Sequence, residues 1–139
     1  MQAINFLSRG KSIESPNEWL YGSVVYLHGK LYIVSEEDAT DIGLYVIKGK
    51  LRRVIPDTVD YFTGIEIGGE KVFFNDIVKA PSGLHLKVVW IDREMKIGLL
   101  AEKPHGIHYN FNVGLYTLCG NSHDNPELLE NEEVHFVHI

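Results

Sequence analysis

Residues 20–34 read LYGSVVYLHGKLYIV, and this stretch decides the fold class. β-Branched and aromatic residues fill positions 20–27 and again 31–34, a pattern that is typical of β-strands. His28-Gly29-Lys30 separates the two runs, and a glycine at this point can take the positive φ that a tight turn needs. The stretch therefore predicts a β-hairpin.

Short apolar runs separated by turn residues continue along most of the chain. Leu44–Ile47 and Leu51–Ile55 predict either a pair of strands or one long strand bent at Gly49, and Pro56 ends it. Further strands are predicted over residues 59–67, 72–74, 77–78, 84–91, 97–101 and 114–119. Many short strands with Gly-rich turns predict a mainly β domain, either barrel-like or built from two packed sheets.

A helix signal is confined to residues 125–130. Asn125 can cap a helix, and Pro126 suits its first turn. We therefore expect one short C-terminal helix. Before it, residues 73–76 favour a turn, in which Asp76 is expected to accept a backbone hydrogen bond.

Length and composition are those of one self-sufficient domain. The chain has 139 residues, 45% of them hydrophobic and 11% aromatic, which supplies a core and excludes a disordered protein. We predict a single domain over residues 1–139, with 126–139 as a candidate C-terminal extension. Cys119 is the only cysteine, so a disulfide within the chain is excluded, and we expect it to be a small buried core residue.

The sequence gives no sign of a membrane protein. Its apolar runs are far shorter than the roughly 20 residues that span a bilayer, and the first six residues lack the pattern of a secretory signal. We expect a cytoplasmic protein. The net charge of −6 disfavours general binding to nucleic acid, because phosphate contacts dominate such affinity.

Three groups of residues follow one another in a fixed order from about residue 6 to residue 130. They are Phe6 with Arg9-Gly10-Lys11 and Glu18–Gly22; residues 54–64 with 73–79; and Gly120-Asn121 with Asn125–Leu129. In order and spacing these groups resemble the YopX family of phage and prophage proteins. Tyr61-Phe62, Asn75 and Ser122-His123 depart from the pattern of that family in ways that the same backbone can accept.

The resemblance implies a YopX-like fold and a protein that works in the cytoplasm of a bacterial host. No biochemical activity is established for that family, so the resemblance implies no catalytic residue, and we assign none.

A basic stripe is the best nucleic-acid feature of the chain. Lys48, Lys50 and Arg52 lie on one side of a predicted strand with Arg53 beside them, and Tyr45 is placed to stack on a base. These five residues are the candidate site for single-stranded nucleic acid. The alternative is a solvent-facing strand whose charges protect a sheet edge.

The histidines give only weak metal candidates. His105 and His108 are three residues apart, and His123 is the third candidate. Zinc needs three or four converging ligands, whereas residues three apart on a strand face opposite ways. We predict no bound metal and no cofactor, and we keep a metal-dependent hydrolase only as a remote alternative.

The sequence thus favours a non-enzymatic accessory protein of phage or prophage type, while leaving an enzymatic role open. Its partners would be further copies of itself or a host or phage protein. The first alternative is a small β-domain that binds single-stranded nucleic acid through the basic stripe.

Overall fold

The computed structural model describes residues 7–35, 51–103 and 106–131. Within these ranges the chain forms strands connected by turns and four single-turn 3₁₀ segments. The strands are β1 (Ser8–Lys11), β2 (Trp19–Leu27), β3 (Lys30–Ser35), β4 (Leu51–Arg53), β5 (Asp60–Ile67), β6 (Glu70–Phe73), β7 (Asp76–Lys79), β8 (His85–Ile91), β9 (Lys96–Ala101), β10 (Ile107–Tyr109) and β11 (Thr117–Asn121). The 3₁₀ segments are Pro56–Thr58, Asp92–Glu94, Val113–Leu115 and Pro126–Leu129.

These strands form two antiparallel sheets. The first has the order β4-β3-β2-β1-β5-β6, and the second has the order β10-β9-β8-β7-β11. The mainly β, two-sheet fold class is therefore confirmed. The barrel-like alternative is wrong, since each sheet of the described residues ends in two edge strands.

The hairpin that the sequence predicted is present as β2 and β3. Val24 pairs with Ile33, and the register continues to Leu27 opposite Lys30. His28 and Gly29 both have positive φ, at 49° and 78°. This geometry matches the right-handed twist of the flanking strands, which is why two-residue hairpin turns of this type are common.

The chain divides into two compact units, Met1–Phe62 and Thr63–Ile139. In the first unit, the segment after β4 returns to the end of β1. Ser12 forms an isolated bridge with Val54, and the Ile13 amide donates to the Arg53 carbonyl at 3.0 Å. Val54 is fully buried, and a Cβ at Gly10 would come within 3.2 Å of its side chain. Glycine in β1 therefore allows the two segments to approach.

The second unit is built around an aliphatic cluster. Its buried members are Val72, Val78, Leu86, Val88, Leu99 and Ala101. Val88 lies opposite Leu99, and Val78 lies opposite Leu86, so five members lie on one face of the second sheet, while Val72 comes from β6 of the first sheet. Burying one of the valine or leucine side chains contributes roughly 1.5–3 kcal/mol relative to an exposed position.

The C-terminal helix occurs where it was predicted, but as one 3₁₀ turn. Its predicted cap is wrong, because the Asn125 side chain makes no capping bond to this turn. The Oδ1 atom of Asn125 instead accepts from the Asn121 amide at 3.2 Å. The side chain therefore closes the loop that precedes the turn.

Several strands differ from the sequence prediction. β1 and β10 were not predicted, and residues 113–115 form a 3₁₀ turn before β11 begins at Thr117. The strand predicted over residues 44–47 lies outside the described residues. Each missed strand is short, and an alternating pattern over three or four residues is too brief to identify.

Candidate interaction surface

One face of the second sheet continues from its buried core to three exposed large side chains. Leu99 pairs with Tyr109 on β10, and Ala101 pairs with Ile107. Trp90 follows Val88 by two residues on β8 and therefore projects from the same face. We call Trp90, Ile107 and Tyr109 together the Trp90 face.

The Trp90 face is accessible to solvent and partly fixed in place. Trp90, Ile107 and Tyr109 have relative exposures of 48%, 46% and 39%. The indole Nε1 of Trp90 donates to Oδ1 of Asp92 at 3.2 Å, which restrains the ring while leaving its apolar surface exposed. A large aromatic side chain that is already ordered loses little conformational entropy when it binds.

The opposite face of the second sheet carries charges that are compensated locally, since Lys96 precedes Ile97, the partner of Trp90, and therefore projects away from the Trp90 face. The Lys96 ammonium lies 3.0 Å from a carboxylate oxygen of Glu94 and donates to Oδ1 of Asn110 at 2.8 Å. The hydrogen bond from Lys96 holds the pKa of Glu94 below its ordinary value. Although the chain carries a net charge of −6, Lys96 and Glu94 therefore neutralise each other at this end of β9.

The basic stripe is only partly within the described residues. Tyr45, Lys48 and Lys50 lie outside them. Arg52 and Arg53 are consecutive residues of β4 and therefore project to opposite faces of the first sheet. The structure does not place these two on one surface, and the nucleic-acid site stays a prediction.

Arg52 is engaged by a neighbouring carboxylate. Its Nη1 and Nη2 atoms donate to the two carboxylate oxygens of Glu18, at 3.1 and 2.9 Å. This hydrogen bonding raises the pKa of Arg52 and lowers that of Glu18. A phosphate would have to displace Glu18 from the guanidinium.

The candidate metal ligands are not brought together in the described residues. His108 is exposed on β10, His123 lies in the loop after β11, and His105 is outside the described ranges. The His123 amide donates to Oδ1 of Asn121 at 3.0 Å, which is a loop-forming bond. Across 7–35, 51–103 and 106–131, no three His, Cys, Asp or Glu side chains form a metal-binding group. A metal site that includes His105 stays untested.

The expectation that Cys119 is a buried core residue is wrong. The register of β11 against β7 shifts between Leu118 and Gly120, so that Cys119 is the additional residue of a β-bulge. Cys119 is exposed because it lies on the face opposite half-buried Leu118, and its Sγ atom is 3.4 Å from the Ile77 carbonyl oxygen. Partial burial of the thiol raises its pKa, while nearby Lys79 acts in the opposite direction.

Asp76 has the structural role that the sequence predicted. Its Oδ2 atom accepts from the Phe73 amide at 2.7 Å, and the residue is buried. Asn75, between them, has a φ of 75°, a conformation that asparagine tolerates better than most residues. Asp76 thus stabilises the turn between β6 and β7.

The first unit contains a buried ion pair that the sequence did not reveal. The Nε and Nη2 atoms of Arg9 lie 3.0 and 2.9 Å from Oδ2 of Asp60. The centre of the Arg9 guanidinium is 4.8 Å from the ring centroid of Trp19, a cation–π distance. Arg9 and Asp60 are 51 residues apart, and only the pairing of β1 with β5 brings them together.

Sequence reasoning also missed the Trp90 face. The segment from 105 to 109 was considered only for its histidines, although Ile107 and Tyr109 alternate as in a strand. That alternation is the one sequence signal for β10, but three residues are too few to identify a strand, and the signal does not reveal which strand β10 pairs with.

Comparison with known proteins supplies no family. No protein-family model matches the chain, and no curated protein is significantly similar to it. Among the described residues, no helix is long and apolar enough to cross a membrane. The YopX resemblance therefore stands on the quoted residues alone.

Proposed function

We propose that this protein is a non-enzymatic accessory protein of phage or prophage type that acts by binding another protein chain through the Trp90 face. The observation that carries the proposal is that three large side chains remain exposed on one face of the second sheet, at the margin of its buried aliphatic cluster.

Two physical arguments support this function. Protein interfaces have an apolar centre rich in Trp and Tyr, which are also the residue types that dominate binding energy. Exposed apolar residues that occur singly need no explanation, but a set that shares one face marks an interaction site.

The test compares binding by the full chain and by a Trp90→Ser variant. Each is immobilised and exposed to bacterial lysate treated with nuclease, and self-association is followed in parallel by sedimentation velocity. We expect the variant to lose a specific protein contact, either with a second copy or with a lysate protein. Truncating a central tryptophan typically costs about 2 kcal/mol or more, or roughly thirtyfold in affinity.

The matched control is Tyr26→Ser in the first unit. Tyr26 is more exposed than Trp90, with a relative exposure of 69%, and it lies outside the Trp90 face. We expect this control to bind as the unmodified chain does. Equal binding by all three proteins would contradict the proposal, as would retention of nucleic acid alone.

A further inference from the structure

The four edge strands of the two sheets are not protected equally. An edge strand exposes unpaired N–H and C=O groups, and soluble proteins usually guard it with charged residues, bulges or a covering segment. In the described residues the edges are β4 and β6 in the first sheet and β10 and β11 in the second. Three of these edge strands have charged residues, a bulge or a covering segment, and β10 has none of these.

The protection differs from edge to edge. β4 carries Arg52 and Arg53, and the Arg53 carbonyl accepts a bond from Ile13. β6 begins with Glu70 and Lys71, both exposed. β11 contains the bulge at Cys119, which interrupts its regular edge.

β10 has the sequence Ile107-His108-Tyr109, and all three residues are exposed. It contains no lysine, proline, carboxylate or bulge. Across 7–35, 51–103 and 106–131, no strand pairs with its outer side. Among the described strands, β10 therefore offers the outer edge to which a strand can be added, a recognised mode of protein association.

We propose that the strand added at this edge is β10 of a second copy of the chain, paired antiparallel about a two-fold axis at His108. The inference rests on the proposed function, because it names the partner of that surface. The pairing of the two β10 strands joins the five-stranded sheet of each copy into one continuous sheet. A two-fold contact of this kind is isologous, so the same strand serves both sides.

The sequence of β10 fits this self-pairing. In an antiparallel pair centred on His108, Ile107 of each copy lies opposite Tyr109 of the other. Such aromatic and β-branched cross-strand pairs stabilise sheets. The two contacts would also extend the Trp90 face across the axis, because Ile107 and Tyr109 belong to it.

The neighbouring charges favour a second copy despite the acidity of the chain. Lys103, before β10, lies 2.8 Å from a Glu130 carboxylate oxygen, and Lys96 pairs with Glu94 beside the other end. In the antiparallel arrangement each end of β10 meets the opposite end of its copy. Both ends then present compensated pairs, which avoids like-charge repulsion.

The test uses two charge variants of the full chain at the proposed axis, His108→Glu and His108→Lys. Sedimentation velocity of the unmodified chain should show a concentration-dependent dimer in the micromolar range. Each variant alone places like charges opposite each other and should weaken the dimer at least tenfold. An equimolar mixture of the two variants should restore dimers, because glutamate then faces lysine.

Restoration by mixing separates a true pairing at residue 108 from a variant that fails to fold. Thr117→Glu, on the opposite edge of the same sheet, is the matched control and should leave the dimer unchanged. A monomer throughout, or a dimer that resists both His108 substitutions, would overturn the inference.

The outcomes also separate the inference from the proposed function. If the chain is monomeric but captures a lysate protein that Trp90→Ser loses, the proposed function stands and the second copy is wrong. If no association of any kind depends on Trp90 or His108, both fail.

Discussion

The two units of the chain bury different kinds of side chain. In the described part of the first unit, Ser8, Arg9, Ser12, Thr58 and Asp60 are buried beside a few aliphatic residues. The buried side chains of the second unit are aliphatic or aromatic, with Asp76 as the polar exception among those described. The first unit thus depends on polar groups that find one another, whereas the second depends on the removal of apolar surface from water.

This difference has energetic consequences. A buried polar group that loses its partner remains desolvated, so its loss costs more than its presence contributes. An aliphatic side chain that is removed costs its transfer free energy and the cavity that it leaves. Substitutions in the two units should therefore differ in how much they lower the free energy of unfolding. They should also differ in whether a second substitution restores it.

The largest effect is expected for Asp60→Ala. Removing this carboxylate strips the buried Arg9 guanidinium of the ion pair at 2.9 Å. We expect a loss of about 3–5 kcal/mol in the free energy of unfolding, measured by urea denaturation. Asp57→Ala, an exposed aspartate nearby, is the control and should change stability by less than about 0.5 kcal/mol.

The double variant Arg9→Met with Asp60→Leu shows whether the cost comes from the orphaned charge. Replacing both members of a buried ion pair by apolar residues of similar size is often nearly neutral. We expect the double variant to recover most of the lost stability. Equal stability of Asp60→Ala and Asp57→Ala would disprove the role of the pair.

Leu99→Ala tests the aliphatic core of the second unit. Leu99 is fully buried opposite Val88, and its truncation should cost about 3 kcal/mol. The same substitution at Leu115, whose relative exposure is 54%, should be nearly silent. Urea denaturation measures both. A small loss at Leu99 would show that the cluster is loosely packed.

The sequence was sufficient for the features that depend on local pattern. The β2–β3 hairpin follows from two long β-rich runs around His28-Gly29, and the Asp76 turn follows from residues close in the chain. The Arg9–Asp60 pair and the Trp90 face depend on which strands become neighbours. Register between distant strands is decided by the whole sheet, so no local pattern contains it.

Cys119 illustrates the same limit within one strand. Cysteine is usually buried, but alternation after Leu118, which packs against the core, places Cys119 on the outer face, and a bulge follows at the same residue. A bulge adds one residue without a change in composition that could reveal it. Likewise, Glu18 is 34 residues away from Arg52, so the sequence around the stripe does not indicate their pairing.

Thr58→Val tests a neutral polar contact of the first unit and should have a smaller effect than Asp60→Ala. The Thr58 hydroxyl donates to the Ile55 carbonyl at 2.6 Å and accepts from the Lys11 amide at 2.8 Å. Valine keeps the shape but leaves both backbone groups without this partner. We expect a loss of about 1–2 kcal/mol in urea denaturation, against almost none for Thr117→Val on an exposed edge. Equal stability losses for Thr58→Val and Thr117→Val would show that the two hydrogen bonds of the Thr58 hydroxyl do not stabilise the fold.

The smallest effect is expected for Glu18→Gln, which breaks an exposed ion pair in the same unit as the buried one. Because hydrogen bonding to Arg52 lowers the pKa of Glu18 in the folded chain, the carboxylate stabilises the fold above the ordinary pKa of a glutamate. That contribution is lost as the pH falls through the lowered value, when the carboxylate takes up a proton. The difference in urea midpoint between Glu18→Gln and the unmodified chain should therefore be small at neutral pH, shrink further with added salt and vanish in acid. Glu70→Gln, at another exposed glutamate, is the control for the removal of one negative charge. A Glu18→Gln difference that persisted in acid would mean that the glutamate acts through packing, and the contrast between buried and exposed ion pairs would then no longer explain the first unit.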